Sequence, residues 1–165
     1  VIIAYVSWGE MFSREPSKLQ YEIATALAQE GVDVIIGYNP HCLQPFLTLE
    51  NEVDGKPHTT YVLGATGNFL SNQRSQYNDS GVILQFDIQE EDDGSFDLRN
   101  FCYVPTYVWR QDIGNGNYQY RTLAVGEWLD KQPEGMSYAD YMRLKQVWAE
   151  AQQMLGTNIA SCIHK

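Results

Sequence analysis

An apolar strand, an amphipathic helix and a second apolar strand fit within about 37 residues at the start of this chain. "VIIAYVS" is rich in β-branched residues, as a buried strand requires. "REPSKLQYEIATALAQEG" follows, with Pro16 suited to a first helical turn and Gly31 to a C-terminal cap. Leu19, Ile23, Ala26 and Leu27 fall on one helical face and are expected to be its buried side. "VDVIIG" then reads as another buried strand. A strand–helix–strand unit of this length forces the two strands to lie parallel with a right-handed crossover. It also sets the loops that follow them, "SWGE" and "GYNPH", side by side.

Beyond residue 41 the pattern changes to short strand candidates separated by turn signals. Val82, Leu84, Phe86 and Ile88 alternate with Ile83, Gln85 and Asp87, the period of a half-buried strand. "EEDDGSFD" reads as an acidic, solvated hairpin turn, since it lacks the flanking helices and late Glu of a calcium loop. "DIGNGNY" is a second hairpin connection, where Gly114, Asn115, Gly116 and Asn117 tolerate positive φ. Ser137 and Asp140 make a capping box for a final helix whose Tyr141, Leu144, Trp148, Ala151 and Leu155 share one face. Trp148 is read as core against the sheet. The fold class is therefore α/β (α+β): a βαβ unit, then mostly antiparallel strands, then a C-terminal helix.

A length of 165 residues suits one domain, and 44% hydrophobic with 19% charged residues reads as globular. A formal net charge of −10 argues against nucleic acid and anionic membrane surfaces as partners. No window is apolar enough to span a bilayer. The three cysteines have no metal-binding spacing, so at most one internal disulfide is open to them. Cys42 and Cys102 read as small buried hydrophobes, and Cys162 as a thiol in a loose tail. Because Val1 opens directly on the apolar run, the sequence reads as a piece of a longer domain. An unpaired edge strand in such a piece would favour self-association.

The rim shared by the two loops carries Ser7, Trp8, Glu10, Asn39 and His41, and "LGATGNF" brings Asn68 after a further apolar run. Pro40 stiffens the turn that presents His41. On residues alone, His41 is either a polar group of a site, with Glu10 beside it and Trp8 as a wall, or a turn residue packed against Trp8. "SWGE", "GYNPHCLQP" and "LGATGNF", in this order and with this helix between the first two, resemble the CapA-type poly-γ-glutamate capsule-biosynthesis family. Members read His-Trp-Gly-x-Glu, then Gly-(His/Ser)-His-Pro-His-x-x-Gln-Pro, then Leu-Gly-Asn-Phe. The likeness extends over residues 1–112, leaving 113–165 as a hairpin plus the helix.

The resemblance implies a partial calcineurin-like metallophosphoesterase-type domain, a bacterial cell-surface or extracellular setting, and an anionic polymer or small molecule as ligand. It implies Glu10 and His41 as catalytic candidates, Trp8, Gln44 and Asn68 as substrate-binding, and His41 with Asn39 as metal candidates. Two family imidazoles are Ser7 and Asn39 here, and Ala65 and Thr66 are extra residues. One imidazole, one amide and one carboxylate fall short of the three or so ligands each ion of a two-metal site needs. Two readings stand. One is a binding or scaffold protein with a degenerate metal site that holds no cofactor tightly. The other is a metal-dependent hydrolase or transferase, with Mn, Zn or Fe in the full-length protein and further ligands supplied from outside this chain.

Overall fold

The computed structural model describes residues 1–162. Strand β1 (Ile3–Ser7), helix α1 (Lys18–Gln29) and strand β2 (Val34–Tyr38) form the expected unit, with Ile3 opposite Val34 and Ser7 opposite Tyr38 in parallel register. Strands β3 (Phe46–Val53) and β4 (Lys56–Leu63) make a hairpin whose Asp54-Gly55 turn has φ of 51° and 74°. The hairpin folds back so that β4 lies parallel to β2, with Val34–Ile36 against Tyr61–Leu63. The resulting order is β1-β2-β4-β3. All three parallel strands thus end at one rim.

The second sheet is antiparallel: β5 (Ser80–Glu90), β6 (Phe96–Gly114) and β7 (Asn117–Ala124), with β8 (Ala160–Ser161) added parallel to β6. β6 runs 19 residues through Pro105, a residue with no N–H to give. Pro105 falls in the gap where β8 has stopped pairing, at Tyr103, and β7 has not yet begun, at Thr106. Helix α2 (Tyr138–Leu155) buries Tyr141, Leu144, Val147, Ala151 and Leu155 against this sheet. Phe46 and Leu63 of the first sheet meet Val82 and Tyr103 of the second and Leu155 of α2, so one core joins both sheets. A separate cluster of Trp8, Ala24, Val32, Ile35 and Val62 lies under α1.

Several expectations are corrected here. Ser17, not Pro16, begins α1: its side chain accepts from Gln20 N and Gln20 returns the bond, while Gly31 follows the C-cap at φ +82°. The buried stripe of α1 is Gln20, Ala24 and Ala28, and Leu19 is 62% exposed. Ile23 and Leu27 pack half-buried at the margin of this stripe, and Leu19 faces out. Ile88 is also exposed, because β5 runs out beyond the core into the acidic hairpin. Ser137 caps α2 through Asp140 N, but Asp140 receives the Ser137 hydroxyl proton instead of closing a reciprocal capping box. Trp148 packs half-buried beside the cluster of Tyr107, Trp109 and Leu144.

The cysteine reading changes most. Cys102 and Cys162 are bridged across 60 residues, and Cys162 N donates to Tyr103 O at 2.8 Å. The end of the chain is therefore fastened to β6. Cys42 is a buried free thiol, as expected, and burial pushes its pKa up. Replacing Cys102 and Cys162 together with Ser should lower unfolding stability by about 2–4 kcal/mol in denaturant titrations, an effect that reduction should reproduce.

A second tie joins α2 to the loop before β5. Arg143 donates from Nε and Nη2 to the two carboxylate oxygens of Asp79, at 3.0 and 2.8 Å, and to Glu150 at 2.8 and 2.9 Å. Burial works against the charged guanidinium, but the two carboxylates outweigh it and raise its pKa. Arg143→Ala would strand the buried Asp79 carboxylate and should cost about 3–5 kcal/mol in the same titrations.

Candidate functional site

The rim is assembled from the loops after β1, β2 and β4. Asn39 and His41 both adopt left-handed backbone, φ 101° and 58°, on either side of the fully buried Pro40. That conformation turns the second loop up beneath the first. Asn39 Nδ2 donates to Gly9 O at 3.0 Å and more weakly to Trp8 O at 3.4 Å, and Phe12 N donates to Pro40 O at 2.7 Å. The Trp8 indole N–H reaches Gly64 O at 2.7 Å and ties the first loop to the third. This crossing requires Gly37 between them, since a Cβ there would sit 1.9 Å from Gly64 O and 2.2 Å from Trp8 Nε1.

Trp8 and Gln44 belong to the framework of the rim. Trp8 is 7% exposed. Gln44 is wholly buried: its Oε1 accepts from Gln20 Nε2 at 2.8 Å and its Nε2 donates to Ser13 O at 2.9 Å. Glu10 lies exposed in the first loop, and its side chain forms no hydrogen bond or ion pair among the described residues. Ser7 ends β1 opposite Tyr38.

Asn68 does reach this rim, and it fixes the imidazole. Its Nδ2 donates to Asn78 O at 2.8 Å and to Gln73 Oε1 at 3.0 Å, so its Oδ1 is the atom facing His41 Nδ1 at 3.0 Å. Nδ1 must then carry a proton, so that in the neutral ring the lone pair lies on Nε2. The ring of Phe12 lies 6.1 Å from that of His41 and is 54% exposed. Phe12, Gln73 and Asn78 escape a sequence reading, because an apolar residue in a loop and the polar run "NQRSQYNDS" look like ordinary connection.

Chemically the rim offers one oriented imidazole lone pair, amides and an exposed aromatic ring. Among the described residues, no three of His, Cys, Asp and Glu come together closely enough to hold a metal ion. Asn39 also turns its amide N–H toward backbone carbonyls. The donor set present does not fit a tightly bound divalent metal.

Residues 1–73 match the family described as bacterial capsule synthesis protein PGA_cap. The chain is 22% identical over 98 residues to the PGA biosynthesis protein CapA of Bacillus subtilis (strain 168), covering 59% of this chain and 24% of that protein. It is 24% identical over 98 residues to the capsule biosynthesis protein CapA of Bacillus anthracis, covering 59% and 22%. These matches support the CapA-type family for the first 73 residues, as part of its domain. The aligned portion spans about a quarter of the length of these relatives. No solved structure matches the chain. The family-model match contains every rim residue from Ser7 to Asn68 and stops within the third loop, before the second sheet and α2.

Removing the Asn68 acceptor tests the geometry of this CapA-type rim. Asn68→Ala should cost about 1 kcal/mol and reduce the Nδ1–H population of His41, read from imidazole nitrogen chemical shifts. An unchanged tautomer would show that Asn68 does not orient the ring.

Proposed function

We propose that this chain serves capsule synthesis of the poly-γ-glutamate type as a binding or scaffold element whose metal site is degenerate. The observation that carries the reading is the donor set of the rim. Among the described residues His41 is its single imidazole, and the Asn39 amide N–H is engaged in holding the first loop. Ser7 and Asn39 stand at positions where the family pattern has imidazoles. An anionic polymer or a small molecule is the proposed ligand, with its N–H or O–H donors met by the acceptors His41 Nε2 and Glu10 and its apolar part by the exposed Phe12 ring. The Cys102–Cys162 bridge favours an oxidising compartment, which supports a cell-surface or extracellular setting. Among the described residues no helix is long and apolar enough to cross a membrane.

One observation favours a second reading. The network around Asn68 leaves the Nε2 lone pair of His41 free at the carboxyl ends of three parallel strands, where α/β proteins bind ligands. A metal-dependent phosphoesterase-like hydrolase or transferase would use such a lone pair if further ligands came from elsewhere in a longer protein. Calorimetric titration with γ-linked polyglutamate, with and without a chelator, separates the two. The scaffold reading expects the same saturable binding in both conditions and an unchanged polymer. Binding or cleavage that needs added Mn or Zn would favour the second reading, and no interaction in either condition would overturn the binding role.

A further inference from the structure

β6 outruns β5. The last antiparallel pair between them is Ser80 with Tyr107, yet β6 continues to Gly114. Residues of β6 alternate in the edge to which they turn their N–H and C=O. Val108 turns its own away from β7, since its N–H donates to Asp79 O at 2.8 Å and its C=O accepts from Arg74 Nη1 at 2.8 Å. Arg110 and Asp112, two and four residues on, therefore present theirs to the same open side. Along that side runs a cavity of about 790 Å³, bounded opposite the strand by Ser137, Asp140 and Arg143 at the start of α2. It lies beyond the residues of the family match.

The chemistry of this groove is peptide-like on its floor, with two unpaired arginines, Arg74 and Arg110, beside it. Free N–H and C=O groups repeating along an extended strand are matched by the backbone of another extended strand. Arg110 pairs across the hairpin with Tyr120 and Asp112 with Tyr118, so all four share one face of the ribbon. The Arg110 guanidinium lies 4.5 Å from the Tyr118 ring centroid, and that of Arg74 lies 5.8 Å from Tyr120. Neither arginine is in an ion pair among the described residues, and Arg74 Nε is buried without a partner. Arg143, by contrast, is fully engaged by Asp79 and Glu150. The neighbouring carboxylate of Asp112 accepts from Gly114 N in the hairpin turn. Arg74 and Arg110 are thus two cations of this groove without a carboxylate partner among the described residues, although the chain as a whole carries a formal charge of −10.

We propose that the open edge of β6 at Arg110 and Asp112 binds an extended, carboxylate-bearing peptide segment as an added strand in line with β5. Its backbone completes the ladder beyond Tyr107, and its acidic side chains face Arg74 and Arg110. The charge selects the segment, and the ladder fixes its register.

The test uses the intact chain and a labelled, terminally blocked peptide alternating Glu and Val, followed by fluorescence anisotropy. Saturable binding is expected, with amide shift changes at Arg110 and Asp112. Arg110→Glu, at an exposed position, should weaken it about tenfold or more. Asp112→Pro, which deletes an N–H facing away from β7, should do the same, as should N-methylation of alternate peptide amides. Several results would overturn the proposal: no saturable binding, an N-methylated peptide that binds as well as its parent, or indifference to Arg110→Glu. So would shifts at Arg110 and Asp112 that follow protein concentration instead of peptide, since a second copy would then occupy the edge.

Discussion

The two sheets are stitched together where Gly67 meets Gly81. Thr66 O accepts from Val82 N, and Ser80 O accepts from Asn68 N, both at 2.9 Å, in the short stretch where the third loop crosses the start of β5. A Cβ on Gly67 would lie 2.6 Å from Ser80 O, and one on Gly81 would lie 2.7 Å from Thr66 O. Backbone can come this close only where both residues lack a side chain. At one end this loop delivers Asn68 to His41, and at the other it delivers Arg74 and Asp79 to β6 and α2. The rim and the β6 groove are consequently built from one piece of chain.

Forming the rim commits nearly all of its polar groups to holding loops. Asn39 braces the first loop, Gln44 clamps the start of α1 to the second, and the Trp8 indole secures the third. A metal centre needs side-chain lone pairs aimed at a common point, and among the described residues the rim offers the imidazole of His41 with only a weak amide oxygen at Asn39 beside it. The same side chains that make the rim rigid therefore leave little for chemistry. This is the physical basis of the proposal that the site recognises a ligand without a metal.

The βαβ unit was legible because β-branched runs, a helical period and Gly31 punctuate it, and the rim followed from parallel strands. Asn68 was legible as the third contributor, since it follows an apolar run that proves to be β4. What escaped were pairings fixed by long-range topology. Nothing near Cys162 announces Cys102, because they meet only when β8 adds to β6. Arg143 and Asp79 are 64 residues apart and meet across α2 and the third loop. Gln44, implied as substrate-binding by the resemblance, is buried with both ends of its amide satisfied, an arrangement that has no local signature. Leu19 was misplaced by periodicity, which counts apolar residues and so passed over the buried stripe of Gln20, Ala24 and Ala28.

The most direct measurement is calorimetric titration of this chain with Zn²⁺ and with Mn²⁺. A rim with one usable imidazole should show no saturable site tighter than about 100 μM for either ion. Uptake of one ion per chain at low micromolar affinity or better, lost on His41→Ala with the fold intact, would contradict the account.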